Sequence, residues 1–250
     1  MTVLVRTSGG RARGPEEDAG LPACWSAWLG RVEYIRAWDL QKALARARAE
    51  TRIPDTVLFL EHPPTYTLGR RGKEEHLLVP RETLVRQGVA LHRTDRGGDI
   101  TFHGPGQLVV YPVISLRARP GGAGRYLRDL EEVVVEALTH FGVASGRMEG
   151  YTGVWTGGQK IAAIGAKIDA NRVTQHGLAL NVTTDLAWFD RIVPCGIRDR
   201  GVTSLARVVA GTLSLAEVAK SVAAAFSRVF GVRMLEVEPG TVWKEHEGPI

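Results

Sequence analysis

Residues 96–107 read RGGDITFHGPGQ, and four glycines and a proline in twelve residues constrain this chain more than any other stretch. Glycine loses the most backbone freedom on ordering and proline has no amide hydrogen, so the run makes a poor helix and a poor strand interior. Such a backbone is shaped around something that approaches it closely. Asp99 and His103 are polar side chains within it; a Gly-rich hairpin carrying a solvated histidine is the plainer alternative.

Around this loop the chain alternates strand and helix periodicities. Residues 25–32 read as a strand. Residues 34–50 read as a helix with a stripe of Ile35, Trp38, Leu40, Leu44 and Ala47. A buried strand over 56–60 is stopped by His62-Pro63-Pro64, and 65–72 reads as a loop that sets Arg70 and Arg71 between glycines. Pro80 and Gly88 bound a short helix ahead of a strand at 89–93. A further strand covers 108–114, where Pro112 suggests an edge or a bulge.

Residues 126–141 follow the 3.6 period closely, and residues 153–159 form a turn region. Residues 160–168 and 173–182 pair as a hairpin whose small residues leave space beside the strands. By period two, His176, Leu178 and Leu180 share one face. After a short helix at 203–209, Ser214 and Glu217 make a capping box for a helix reaching Phe230. A last strand spans 232–237. The pattern predicts one α+β domain with a mixed, mostly antiparallel sheet flanked by helices. Residues 1–24 are expected to be a flexible extension and 238–250 a loose tail.

At 250 residues the chain can bury about 70 to 75% of its unfolded surface if it folds as one compact domain. No stretch approaches the ~18 apolar residues of a membrane span. The first twenty residues lack a signal-peptide apolar region, so a cytoplasmic location and reduced thiols at Cys24 and Cys195 are expected. The net charge of +5 comes from dispersed Arg and Lys with no long basic run. That disfavours nucleic acid as a partner and suits an acidic protein equally well.

Cys195 lies between Pro194 and Gly196, in a turn composition that can present a side chain to a cleft. Free cysteine is also among the most buried residue types. To act as a nucleophile it must ionise, and from an unperturbed pKa of about 8.5 that requires a nearby cation or base. Lys160, His103 and His176 are the candidates. Neither metal-ligand spacing, nor a P-loop, nor a dinucleotide fingerprint is present, so no metal or cofactor is expected. Acyl transfer through a cysteine thioester, ATP-dependent ligation and non-catalytic binding stay open on these residues alone.

Four motifs in register, RGGDITFHGPGQ at 96–107, KIAAIG at 160–165, HGLALN at 176–181 and PCG at 194–196, resemble the lipoyl(octanoyl) transferase family. That family is similar in fold to biotin and lipoate protein ligase catalytic domains. The resemblance covers residues 25–237 and implies an octanoyltransferase catalytic domain. It implies a donor, octanoyl-acyl carrier protein, and acceptors, lipoyl domains of 2-oxo acid dehydrogenases and the glycine cleavage H protein.

Carried over by position, Cys195 becomes the thioester nucleophile and Lys160 the group that lowers its pKa. Arg96, Gly97, Gly98, Asp99, Ile100, Thr101, Phe102 and His103 would wrap the acyl substrate. Ala163, Ile164 and Gly165 with Gly177, Leu178 and Ala179 would complete the site. The chain departs from the family in one extra residue between Lys160 and His176, expected at the Asp169-Ala170-Asn171 turn. Cys24 is given no chemistry.

Overall fold

The computed structural model describes residues 20–193 and 201–247. In chain order the elements are β1 (Ala23–Arg31), α1 (Tyr34–Ala49), β2 (Asp55–Glu61), β3 (Thr65–Leu68), α2 (Arg81–Arg86), β4 (Ala90–Arg93), β5 (Ile100–His103) and β6 (Gln107–Val113). They continue with α3 (Gly122–Thr139), β7 (Gly146–Met148), β8 (Tyr151–Thr156), β9 (Gln159–Ile168), β10 (Thr174–Asn181), α4 (Leu205–Val208), α5 (Leu215–Phe230), β11 (Arg233–Glu236) and α6 (Pro239–Glu247). Eight strands make one sheet in the order β11-β1-β2-β6-β10-β9-β8-β7, and β4-β3-β5 make a second. Only β11-β1 and β1-β2 are parallel in the large sheet, so the expected mixed, mostly antiparallel α+β fold is what forms.

Three apolar clusters follow from this layout. On one face of the large sheet, α3 and α5 bury Leu130, Val133, Val134, Val222 and Phe226 against Val110, Leu178 and Leu180. On the other face, α1 packs Leu40 and Leu44 against Leu58, Val109 and Ala179. The small sheet has its own core of Tyr66, Phe102, Leu186 and Phe189. The capping box of α5 is complete, with Ser214 Oγ accepting from Ala216 N and Glu217 accepting from Ser214 N, and Gly231 closes the helix at φ +60°. Local sequence and tertiary packing agree there.

Several expectations change. β1 begins at Ala23, so Cys24 is a fully buried strand residue rather than the end of an extension, and burial, then the Asp55 carboxylate, push its thiol far above the ordinary range. Ile35 is exposed, and Tyr34, Ala37 and Gln41 face inward in its place. Residues 65–68 form a buried strand, and 151–156 form one as well, where a loop and a turn were expected. Residues 239–247 form a helix lying on α1 with Val242 fully buried, not a loose tail.

Pro112 lies in the central strand β6, opposite Val57, and the ladder to β10 stops at Val110. The neighbouring strand yields to the proline: His176 takes φ +58° and Gly177 leaves the ring space. That left-handed residue breaks the period of two. His176 consequently joins Tyr34, Trp38 and Gln41 on the α1 side, whereas Leu178 and Leu180 join the opposite core.

A Cβ on Gly177 would sit 2.2 Å from Val110 O and 2.7 Å from Pro112 Cδ, both on a rigid central strand. Gly177→Ala is therefore expected to destabilise the fold by about 3 kcal/mol, the upper range for overpacking. A thermal melt of the variant, with its midpoint several degrees below the parent, checks this; an unchanged midpoint contradicts the packing.

Candidate functional site

The hairpin β9-β10 opens the site. Ala163 pairs with Ala179 and Gly165 with Gly177, so four small residues share one face of the sheet. The Gly-rich loop closes over that gap: Gly97 N donates to Ala166 O at 3.0 Å, and a Cβ on Gly165 would lie 2.7 Å from Gly97 O. Above the small residues stands a cavity of about 720 Å³. Its wall takes Ala123, Tyr126 and Leu127 from α3, Lys160, Ile164 and Ile168 from β9, and Arg70, Arg71, Lys73 and His76 from the turn after β3.

Of the residues expected in the site, every described one lines this cavity except Phe102. In β5 alternate side chains face opposite ways, and Phe102 is turned into the small-sheet core, stacked on Trp188 at 5.2 Å between ring centroids. Cys195 lies outside the described residues. Its flanks do not: Val193 N donates to His76 O at 2.8 Å, Lys160 N donates to Gly201 O at 3.0 Å, and Thr203 N donates to Lys160 O at 2.9 Å. Val193 is therefore beside His76, and Gly201 and Thr203 are beside Lys160.

Lys160 is 8% exposed, and its ammonium lies 4.9 Å from the centre of the Trp155 ring. Among the described residues no carboxylate reaches ion-pair distance of it. Gly153, at φ +122°, runs alongside the lysine stem, and a Cβ there would lie 2.6 Å from Ala162 O.

Arg96 lines the cavity and also builds the loop. Its Nη2 donates to Thr67 O at 2.6 Å and to Asp99 O at 2.7 Å, and its Nη1 donates to Gly97 O at 3.0 Å. Asp99 is engaged likewise, accepting from Ile100 N, Lys73 N and, at 2.5 Å, from His76 Nδ1. His76 was not foreseen. It lies 23 positions from Asp99, and no local pattern in KEEH marks it; its only signal is the polar Asp99 inside the Gly-rich loop.

A second polar layer runs beneath. His103 Nδ1 donates to Gln107 Oε1 at 2.9 Å, and Gln107 Nε2 donates to Asn181 Oδ1 at 3.0 Å. His62 donates to Val32 O and accepts from the Tyr111 hydroxyl. His176 donates from Nε2 to Asp95, which also accepts from Lys167. That hydrogen bond from His176 holds the Asp95 carboxyl well below its usual range. Burial keeps all three histidines below their ordinary value: His62 falls to about 4, and His103 is held well below its ordinary value, with His62 and Arg96 adding to burial.

Residues 33–227 match the family model of the lipoyl protein ligase A/B catalytic domain. The chain belongs to this family. An octanoyltransferase of Rubrobacter xylanophilus is 51% identical over 203 residues, spanning 81% of this chain and 91% of its own. A mitochondrial octanoyltransferase of Arabidopsis thaliana is 48% identical over 190 residues, spanning 74% of this chain and 80% of its own. Among solved structures, a bi-partite lipoate protein ligase from Thermoplasma acidophilum aligns with a TM-score of 0.72 at 17% identity, covering 90% of this chain and 91% of that one. At that identity the likeness speaks for the fold. Among the described residues no helix is long and apolar enough to cross a membrane.

The buried histidines make stability fall with acid. His62 is neutral in the fold down to about pH 4, whereas in the unfolded chain it takes its proton near 6.5. Between those values the unfolded state binds the proton and the fold refuses it, which removes up to about 1.4 kcal/mol per pH unit for each such histidine. Urea midpoints are expected to drop from pH 6.5 to pH 4, and His62→Gln to flatten that slope by one proton. A midpoint independent of pH in this window overturns the assignment.

Proposed function

We propose that this chain is an octanoyltransferase of protein lipoylation. It takes an octanoyl group from acyl carrier protein onto Cys195 and passes it to a lysine of a lipoyl domain, whether of a 2-oxo acid dehydrogenase or of the glycine cleavage H protein. The observation that carries this reading is the buried Lys160 in the cavity wall, with no carboxylate at ion-pair distance among the described residues and with its backbone N–H and C=O held by Gly201 and Thr203. The names borne by its close relatives support the same activity.

In this reading the Cys195 thiol loses its proton to solvent, and the Lys160 ammonium stabilises the thiolate in a poorly solvated site. Each unit by which the thiol pKa falls needs about 1.4 kcal/mol, within reach of one close ammonium. The thiolate attacks the carrier thioester carbonyl. The carbon-sulfur bond to the carrier then breaks, and the carrier thiol leaves with a proton from Lys160. The lipoyl-domain amine next attacks the Cys195 thioester, Lys160 takes the amine's proton, and an amide forms as the thiolate is released.

The carrier thioester is already activated, so the reaction as written needs no ATP. Burying about six methylenes of the acyl chain against Leu127, Ile164 and Leu178 contributes about 5 kcal/mol at ~0.8 each. Ala163, Gly165, Gly177 and Ala179 share the other face of the hairpin, where Gly165 leaves room for the Gly-rich loop. Gly98 lies at the cavity wall and its backbone amide can hold a developing oxyanion, whereas that of Gly97 is taken by Ala166 O. The dispersed positive charge speeds encounter with acidic carrier and acceptor proteins.

Two measurements test the reading. Incubated with octanoyl-acyl carrier protein and no ATP, the parent is expected to gain one octanoyl group by intact mass, and Cys195→Ala none; an adduct on the variant at parental rate removes Cys195 from the mechanism. Lys160→Ala is expected to shift the pH midpoint of thiol alkylation upward. If the midpoint does not move, Lys160 is not what ionises the thiol.

A further inference from the structure

Arg70 and Arg71 are exposed yet line the same cavity, so they stand at its solvent end. Their turn is fastened to the Gly-rich loop: Arg70 N donates to Arg96 O and Arg71 N to Gly98 O, each at 3.0 Å, and Gly72 N closes the turn on Gly69 O at 2.8 Å. The neighbouring carboxylates are committed elsewhere. Glu74 pairs with Arg81 and Arg93, Asp99 holds His76, and Glu75 pairs with Lys73. Among the described residues neither Arg70 nor Arg71 has an ion pair or a side-chain hydrogen bond.

Two adjacent guanidinium forks without a counter-charge, on a backbone fixed in place, are arranged for an oxyanion, and phosphate oxygens match the fork geometry bidentately. The cavity is also larger than one eight-carbon chain requires; its volume is in the range that takes a ligand of drug size. An acyl group delivered by a carrier protein arrives on a pantetheine arm whose phosphodiester is the fixed negative charge between thioester and protein. The apolar wall takes the acyl end, so the phosphodiester belongs at the solvent end.

We propose that Arg70 and Arg71 form a subsite for the phosphodiester of the donor's phosphopantetheine arm, an inference that rests on the carrier-bound donor proposed above. The subsite favours donors that carry the phosphate over those that stop at pantetheine, and it acts on binding rather than on the chemical step.

Octanoyl transfer to a lipoyl domain is measured with octanoyl-pantetheine and with octanoyl-4′-phosphopantetheine, for the parent, for Arg70→Ala/Arg71→Ala and for Arg70→Lys/Arg71→Lys. The parent is expected to show a KM about fivefold lower for the phosphorylated donor, as one or two partly exposed charge-assisted contacts provide. In the alanine variant the ratio of the two KM values collapses toward one with the ratio of kcat values unmoved, and the lysine variant recovers part of it. Thermal midpoints matching the parent show that both variants fold. Equal KM values in the parent, or a ratio unchanged in the alanine variant, overturn the subsite while both donors are still turned over and octanoyl transfer stands. A KM that rises only with whole octanoyl-acyl carrier protein also overturns it, and moves the two arginines to a contact with the carrier's protein surface.

Discussion

A directional chain of hydrogen bonds joins the two sheets, and the site depends on it. The Arg96 guanidinium donates to Thr67 Oγ1, the Thr67 hydroxyl donates to His103 Nε2, and His103 Nδ1 donates to Gln107. From Gln107 the chain continues to Asn181, whose amide donates to Thr203 O, and Thr203 N donates to the carbonyl of Lys160. Every donor points the same way only if His103 is neutral with its proton on Nδ1. A protonated ring would set a second donor against Thr67 Oγ1, which already accepts from Arg96. Burial, which disfavours the charged ring, and the network therefore require the same protonation state.

This chain explains why the Gly-rich stretch has its composition. Arg96 spends donors on Thr67 O, Gly97 O and Asp99 O, which folds the loop back on itself and onto β3. The loop can then approach β9 only where no side chain intervenes, at Gly165, and it can accept the turn after β3 only where Gly69 lacks a Cβ, since one there would lie 2.5 Å from Gly98 O. Three segments distant in sequence thus meet through backbone rather than side chains. The backbone amide of Gly98 stays at the cavity wall, which is the arrangement that preorganised electrostatic catalysis uses.

What could be read in the sequence follows from how local each signal is. The helices α3 and α5 are legible because a 3.6 period and their end glycines reside in consecutive residues. The hairpin β9-β10 is legible because small residues recur in both arms, and its tip is the turn closed by Arg172 N donating to Asp169 O. β7 is three residues long and becomes a strand by pairing with β8, which itself pairs with β9, a cause no local window contains. The His76–Asp99 contact and the left-handed His176 have the same character, the first set by the pairing of Leu77 with Ile192, the second by a proline on the neighbouring strand. Phe102 was assigned with the loop around it because the motif is contiguous, whereas a strand sends neighbours to opposite faces.

Lys160 shows what these constraints achieve together. Its amide and carbonyl are both taken, by Gly201 O and Thr203 N, so its Cα position is fixed by backbone and not by its side chain. Trp155 lies beside the ammonium, while no carboxylate among the described residues neutralises it. A buried ion without a counter-charge costs several kcal/mol even after relaxation, and a cation–π contact returns only part of that. The deficit is smallest when a neighbour ionises to an anion. The fold thus holds, in the wall of the cavity, a position where negative charge is worth more than in water, and Cys195 is the thiol proposed above to supply it.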